Sequence, residues 1–197
     1  MKDNLETKNA AFQYGVETEL PDFQQYFADK ISVVGFPVLK EFENKYSGFE
    51  VVINVCDECY VSYANALMKK GIQHYWFPMG ESGKDMGLNS AFGALYILYQ
   101  CYLENKNVLL HCHAGANRSP TINSMFYFMM QGKHKDEIRD NNGHIWNGNM
   151  LLHNAGKHLP ALEWIEKWLT KCKHAFDHPN QFIGGMFDWT IDDKRDI

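Results

Sequence analysis

Short runs of apolar, often β-branched residues, each followed by a turn or by polar residues, constrain the fold of this chain most strongly. Three of them read as buried strands, at Ile31–Val34, Val51–Val55 and Val108–Leu110, and a more mixed strand is predicted at Gln73–Phe77. Apolar residues at helical spacing lie between and after these runs, over 64–70, 88–104 and 121–131. This alternation predicts an α/β fold, with a mainly parallel central sheet flanked by helices on both faces.

The remaining segments are predicted with less detail. Residues 1–28 are expected to form a helical or irregular lead-in, and Val38–Tyr46 fits a short amphipathic helix that Gly48 ends. The last third of the chain is expected to be helical, because its apolar residues form one stripe, which we assign to the core: Leu159, Leu162, Ile165, Trp168 and Leu169. The tail from His174 onward has no clear periodicity and receives no assignment.

Length and composition favour one globular domain over 1–197. The chain has 197 residues with 45% hydrophobic residues, enough for one sizeable core, and no repeat or linker divides it. Its net charge of −5 argues against a nucleic-acid coat protein or a polybasic membrane binder. No stretch approaches the roughly 20 apolar residues of a spanning helix, and the N-terminus lacks the apolar centre of a secretory signal. Five cysteines are an odd number, so we expect free thiols and a soluble, cytoplasmic protein.

The segment that carries chemistry runs from His111 to Ser119, with the sequence HCHAGANRS. A buried strand ends there and a helix begins after a few residues. Such a turn directs successive backbone N–H groups inward and adds the positive end of a helix dipole, which together form an anion-binding concavity. Gly115 permits the tight curvature that this loop requires.

Cys112 is predicted to lie at the base of this concavity, where the inward N–H groups and a nearby guanidinium favour thiolate over thiol. The result is a nucleophile available at neutral pH. Arg118 closes the loop, and its planar fork can bind two phosphate oxygens at once. The Ser119 hydroxyl is positioned to hydrogen-bond the sulfur when it leaves, and His111 is expected to orient the loop from behind.

The pattern His-Cys-x5-Arg-Ser resembles the signature of the cysteine-dependent protein phosphatases, and the chain length resembles their compact dual-specificity branch. The strand and turn at 51–58 and the helix from Gly87 onward are similar to the elements that flank the signature in that family. The resemblance covers about residues 30–170, between the lead-in and the tail. It implies the cysteine-phosphatase fold and a phosphomonoester hydrolase that forms a phosphocysteine intermediate without a metal or organic cofactor.

The resemblance also implies that the loop residues bind the phosphate. These residues are His113, Ala114, Gly115, Ala116, Asn117 and Arg118. Phosphoinositide-directed relatives place lysines inside this loop, and this loop has none, so a phosphorylated protein or peptide is the expected partner. No nucleic-acid or membrane partner is expected, and the oligomeric state stays open. The alternatives are a catalytically weak phosphoprotein-binding module, a phosphoinositide phosphatase and an RNA 5′-phosphatase, the last disfavoured by the acidic balance.

Expulsion of the leaving oxygen requires a proton donor, which the family supplies as an Asp on a mobile loop about thirty residues before the cysteine. This chain has no Asp at that place. Glu81 lies 112 − 81 = 31 residues upstream and Asp85 lies 27 upstream. We favour Glu81, which can perform the same chemistry because its intrinsic pKa is close to that of Asp. Asp85 stays an alternative, as does a solvated role for both carboxylates.

Cys56 and Cys59 form a Cys-x2-Cys pair without a second pair of matching spacing, which makes a zinc site improbable. Cys56 follows the strand that is expected to neighbour Cys112. Some phosphatases of the resembling type protect an oxidised nucleophile through a disulfide with such a cysteine. The two readings for Cys56 are therefore a protective disulfide with Cys112 and a plain buried thiol.

Overall fold

A computed structural model describes residues 20–38, 45–80, 86–135, 137–139, 145–147 and 149–179. These residues contain six strands and six helices. The strands are β1 Ile31–Val34, β2 Val51–Asn54, β3 Gln73–Trp76, β4 Val108–His111, β5 Glu137–Arg139 and β6 Ile145–Asn147. The helices are α1 Phe23–Asp29, α2 Val61–Lys69, α3 Leu88–Leu103, α4 Arg118–Gln131, α5 Met150–Asn154 and α6 Leu162–Asp177.

The first four strands form one parallel sheet in the order β1-β4-β2-β3. Strand β4 is central, and both of its neighbours pair with it in the same register, so that Val108 lies opposite Ile31 on one side and Val51 on the other. All four residues of β1, β2 and β4 are buried, whereas the edge strand β3 is partly exposed. The predicted parallel α/β sheet is confirmed.

Side chains alternate between two hydrophobic cores because successive residues of a strand point to opposite faces. Val108 and Leu110 of β4 lie in the larger core, which helices α1, α3, α4 and α6 cover. Leu109 points to the other face and packs in a smaller core with Tyr63 and Leu67 of α2. Helices therefore cover both faces, as the strand and helix alternation predicted.

Most predicted elements agree with the observed ones to within three residues. Helix α3 begins at Leu88 as predicted, but its N-cap is Gly87, with φ at +73° and no side-chain cap. The Ser90 hydroxyl, in the first turn of this helix, donates to the Pro78 carbonyl at 2.5 Å. Of the predicted stripe, four residues are buried and Leu162 is partly buried. The described helices include none that is both long and apolar enough to cross a membrane.

Two predictions need correction or lie outside the described residues. The last third of the chain is not wholly helical, because β5 and β6 pair there as a separate antiparallel sheet. Each of these strands has three residues, which is too short for an alternation of apolar and polar residues to predict a strand. The predicted helix over Val38–Tyr46 falls largely on residues 39–44, outside the described residues. Helix α6 continues to Asp177, past the point where periodicity in the sequence fades.

The central strand β4 contributes Leu110 to the larger core. Leu110 is fully buried in the larger core, so L110A removes buried apolar atoms and leaves a cavity. We expect the free energy of unfolding to fall by about 2–5 kcal/mol, measured by urea denaturation. L152A is the control, because Leu152 is 45% exposed and its truncation should change stability by less than about 0.5 kcal/mol. Equal losses in the two variants would contradict the assignment of the core.

Candidate active site

The loop that follows β4 lies at the carboxyl end of the central strand, where ligands collect in open α/β sheets. Its backbone is bound to both neighbouring strands. The Val55 N–H donates to the His111 carbonyl at 2.9 Å, and the Phe36 N–H donates to the His113 carbonyl at 2.8 Å. The loop is therefore fixed between the extensions of β1 and β2 before it turns into α4.

Cys112 is the first residue of this loop, and its sulfur accepts two hydrogen bonds. The Gly115 backbone N–H donates to Sγ at 3.2 Å, and the Ser119 hydroxyl donates to Sγ at 3.2 Å. The residue is 2% exposed, so these donors act where little water competes with them. Donors directed at a sulfur stabilise negative charge on it.

Gly115 lies in the left-handed region, with φ at +72°. A Cβ atom on this residue would lie 2.5 Å from the Gly35 nitrogen and 2.7 Å from the Val34 carbonyl carbon. Both contacts are with backbone, which cannot move aside cheaply. The residue must therefore be glycine for two independent reasons, the backbone angle and the close packing of the loop against the end of β1.

Arg118 is the first residue of α4 and is 4% exposed. One terminal nitrogen of its guanidinium donates to the Met79 carbonyl at 3.1 Å and also forms an ion pair with Asp57. Asp57 was not among the predicted site residues. It follows β2, and because β2 pairs with β4, the sheet brings its carboxylate to the same edge as Cys112.

His111 lies behind the loop with no exposed surface. Burial lowers the pKa of its imidazole to about 3, so the ring is neutral at neutral pH. Its Nδ1 lies 3.4 Å from the Cys112 carbonyl, and its Nε2 lies 3.3 Å from the Tyr63 hydroxyl. The consistent tautomer has Nδ1–H donating to the carbonyl and Nε2 accepting from Tyr63. Sequence reasoning did not identify Tyr63, which α2 brings from the other face of the sheet.

Asn154 of α5 fixes the far end of the loop. Its fully buried amide nitrogen donates to Asn117 Oδ1 and to Thr121 Oγ1, both at 2.7 Å. The Thr121 hydroxyl in turn donates to the Asn117 carbonyl at 2.7 Å. A single side chain thus connects the loop, the first turn of α4 and a helix more than thirty residues downstream. Nothing in the sequence around Asn154 predicted this contact.

The structure brings together the predicted residues of the loop, but it does not describe the predicted acid. Glu81 and Asp85 lie outside the described residues. Met79, two residues before Glu81, is buried, and its carbonyl accepts from Arg118. The chain that leads to the predicted acid is therefore bound to the guanidinium of the loop. Of the loop side chains, those of His113, Ala114 and Ala116 are exposed, and that of Asn117 is partly exposed.

Cys56 and Cys59 are free thiols. Cys56 is buried, and burial together with the neighbouring Cys112 raises the pKa of Cys56 to about 12. The group is therefore a thiol at neutral pH, and the two readings of Cys56 both stay predictions. Among the residues that the structure describes, no cluster of three or more His, Cys, Asp or Glu side chains could hold a metal ion.

The comparisons with known proteins agree with this geometry. The family model described as dual specificity phosphatase, catalytic domain, matches residues 33–140. The chain belongs to the dual specificity phosphatase family. The resemblance seen in the sequence is thereby confirmed, and the matched region includes the thiol loop and the strands β2, β3 and β4. Among curated protein sequences, none matches this chain significantly.

Solved structures share the fold at low sequence identity. Tk-PTP in its active form has a TM-score of 0.53 at 15% identity, covering 74% of this chain and 94% of the other. A DUF442 protein from Shewanella putrefaciens CN-32, described as a phosphatase, has a TM-score of 0.52 at 15% identity, with coverages of 74% and 89%. PTPMT1 has a TM-score of 0.50 at 10% identity, with coverages of 79% and 96%. At these identities the likeness establishes the dual specificity phosphatase fold alone.

The packing around Gly115 yields a test of the loop. G115A introduces a Cβ into backbone and imposes a left-handed angle on alanine, which costs at least about 1–3 kcal/mol of stability. We expect a lower melting temperature for G115A, and we expect tungstate, a phosphate analogue, to raise the melting temperature of the wild type but not that of the variant. G48A is the control, since a Cβ at Gly48 meets nothing within 4 Å. A tungstate shift retained in full by G115A would show that the loop does not require this conformation.

Proposed function

We propose that this dual specificity phosphatase family member hydrolyses phosphomonoesters of proteins through a phosphocysteine intermediate on Cys112. The observation that carries the proposal is the environment of the sulfur, which accepts from the Gly115 N–H and the Ser119 hydroxyl at 3.2 Å. Two donors in a buried loop stabilise an anionic sulfur, and the same loop ends at a guanidinium that suits phosphate oxygens. Nucleophile and phosphate-binding group thus share one rigid turn.

In the proposed first step, the Cys112 thiolate attacks phosphorus in line with the leaving oxygen. The P–O bond to the leaving group breaks as the S–P bond forms, and Glu81 donates a proton to the departing oxygen. Arg118 and the backbone N–H groups of residues 113–117 bind the three equatorial oxygens, whose charge they stabilise in the transition state. The alcohol or phenol product then leaves.

In the second step, water attacks the phosphocysteine while the Glu81 carboxylate accepts its proton. The S–P bond breaks and the sulfur departs as a thiolate. The Ser119 hydroxyl, which already donates to Sγ at 3.2 Å, stabilises the negative charge that develops on this leaving group. The same hydrogen bond therefore serves the nucleophile in the first step and the leaving group in the second.

The side chains of the loop favour phosphoprotein over polyphosphorylated substrates. Between Cys112 and Arg118 the loop contains no lysine, and His113 is its one titratable side chain. A second phosphate on a phosphoinositide would find no fixed cation there, and the net charge of −5 gives an RNA substrate no general attraction. The competing proposal, a phosphoprotein-binding module with little turnover, keeps the loop but requires that Glu81 and Asp85 both fail as acids.

Cys112 provides the first test of this function. C112S replaces the thiolate with a hydroxyl that ionises far less readily, so hydrolysis of para-nitrophenyl phosphate should fall to background while tungstate binding is retained. Steady-state rates and tungstate-induced melting shifts measure the two properties. C59S is the matched control, because Cys59 has no part in the loop, and it should keep the wild-type rate. Turnover by C112S at the wild-type rate would end the proposal.

A second test identifies the acid. E81Q should lower kcat on an alkyl phosphoester by about 10²–10⁴ and lower it much less on para-nitrophenyl phosphate, because a nitrophenolate leaves without protonation. D85N is the matched comparison. If D85N shows the selective loss and E81Q does not, Asp85 is the acid. If the wild type itself acts only on the aryl substrate, the binding-module proposal is favoured.

A further inference from the structure

An ion pair at the mouth of the loop has no role in the mechanism given above. The Arg118 side chain is 5% exposed, whereas the Asp57 side chain with which it pairs is 45% exposed. A guanidinium so far from water is costly unless an anion compensates its charge. Asp57 supplies that anion from the solvent side, at the edge of the sheet where a phosphate would enter.

The segment that carries Asp57 is held in place by three hydrogen bonds. The Val55 N–H donates to the His111 carbonyl at 2.9 Å, which extends the pairing of β2 with β4. The Cys56 N–H donates to Asn54 Oδ1 at 2.8 Å, and the Trp76 indole N–H donates to the Cys56 carbonyl at 2.9 Å. A carboxylate on so constrained a backbone can fix the orientation of its partner, because little of its own freedom remains to be lost.

The Arg118 nitrogen that pairs with Asp57 also bonds a backbone carbonyl. The same terminal nitrogen of Arg118 donates to Asp57 and, at 3.1 Å, to the Met79 carbonyl. A guanidinium is planar and its N–H groups point in fixed directions. Two acceptors on one terminal nitrogen therefore restrict the orientation of the whole planar group.

We propose that Asp57 is a positioning residue that orients Arg118 for bidentate binding of the phosphate. The proposal rests on the function given above and adds to it a residue that contacts the phosphate-binding group and not the reacting atoms. Because Arg118 binds the equatorial oxygens, disorder in its orientation weakens phosphate binding and transition-state stabilisation alike. It does not alter the chemistry of the leaving group.

The test compares D57A and D57N with a control. D57A should lower kcat/KM by about 10- to 100-fold, the size of effect expected when a binding group is misplaced by about 1 Å. D57N should lie between D57A and the wild type, since its amide oxygen still accepts from Arg118. The loss should be equal for para-nitrophenyl phosphate and an alkyl phosphoester. E58Q removes a charge from the neighbouring exposed position and should retain the wild-type values.

A second measurement reads the phosphate site without turnover. Iodoacetamide is expected to alkylate Cys112 and inorganic phosphate to protect it, and mass spectrometry of the Cys112 peptide measures the extent of alkylation. In D57A the phosphate concentration for half protection should rise at least fivefold, while the alkylation rate without phosphate stays within twofold of the wild type. The unchanged rate would exclude a general loss of structure as the cause, since Cys112 is buried in the fold.

Three results would overturn the proposal. The first is a D57A variant that has the kcat/KM of the wild type and needs the same phosphate concentration for half protection of Cys112. The second is a D57N variant whose kcat/KM and whose phosphate concentration for half protection are both as impaired as those of D57A. The third is a loss confined to the alkyl substrate, which would make Asp57 a proton donor. Failure of the proposed function would be seen differently, as a wild type that shows no Cys112-dependent turnover. The protection assay would still show whether Asp57 affects phosphate binding in that case.

Discussion

The close approach of the loop backbone to the end of β1 is the constraint on which the rest of the site depends. The Gly115 Cα lies so near Val34 and Gly35 that no side chain fits between them. This approach brings the Gly115 N–H within 3.2 Å of the Cys112 sulfur and lets the Phe36 N–H bind the His113 carbonyl. The sheet thus supports the loop from the side: the His113 carbonyl accepts from the segment after β1, and the Gly115 N–H points inward to the sulfur.

Burial determines which side chains around the loop are neutral at neutral pH. His111, directly behind it, is kept neutral because its pKa lies near 3, so it orients the loop without adding a cation. Cys56, alongside, keeps its proton because burial raises its pKa to about 12. Arg118 is a buried basic side chain of the loop, and Asp57 forms an ion pair with it from the solvent side. The result is a site in which positive charge and directed N–H groups are concentrated near one sulfur.

The sequence predicted the fold and the loop because both are encoded locally. The runs at 31–34, 51–55 and 108–110 are apolar enough to require burial on both faces, and the loop signature lies within nine consecutive residues. The pair β5–β6 was missed, because three-residue strands carry too little pattern to distinguish them from a turn. The start of α2 at Val61 was missed as well, since Tyr60 makes no side-chain cap hydrogen bond.

The residues that support the loop from a distance were not predictable in the same way. Tyr63, Asp57 and Asn154 reach it from three different elements, and each is an ordinary polar residue in its own segment. Asp57 alone had a usable indication, because it follows a buried strand at the sheet edge that Cys112 shares. A carboxylate placed there would be expected to meet a buried arginine once the strand order was known, and the order β4-β2 is a property of the whole sheet.

The contacts of Arg118 also connect two parts of the site that lie far apart in the sequence. Its guanidinium bonds the Met79 carbonyl, on the segment that leads to Glu81, and the Ser90 hydroxyl bonds the Pro78 carbonyl next to it. The segment is thus attached to the phosphate-binding loop and to the start of α3. A phosphate bound by the Arg118 guanidinium would therefore contact the same side chain that bonds the Met79 carbonyl, two residues before Glu81. Under the proposed function, Arg118 therefore contacts both the substrate oxygens and the chain that leads to the proposed proton donor.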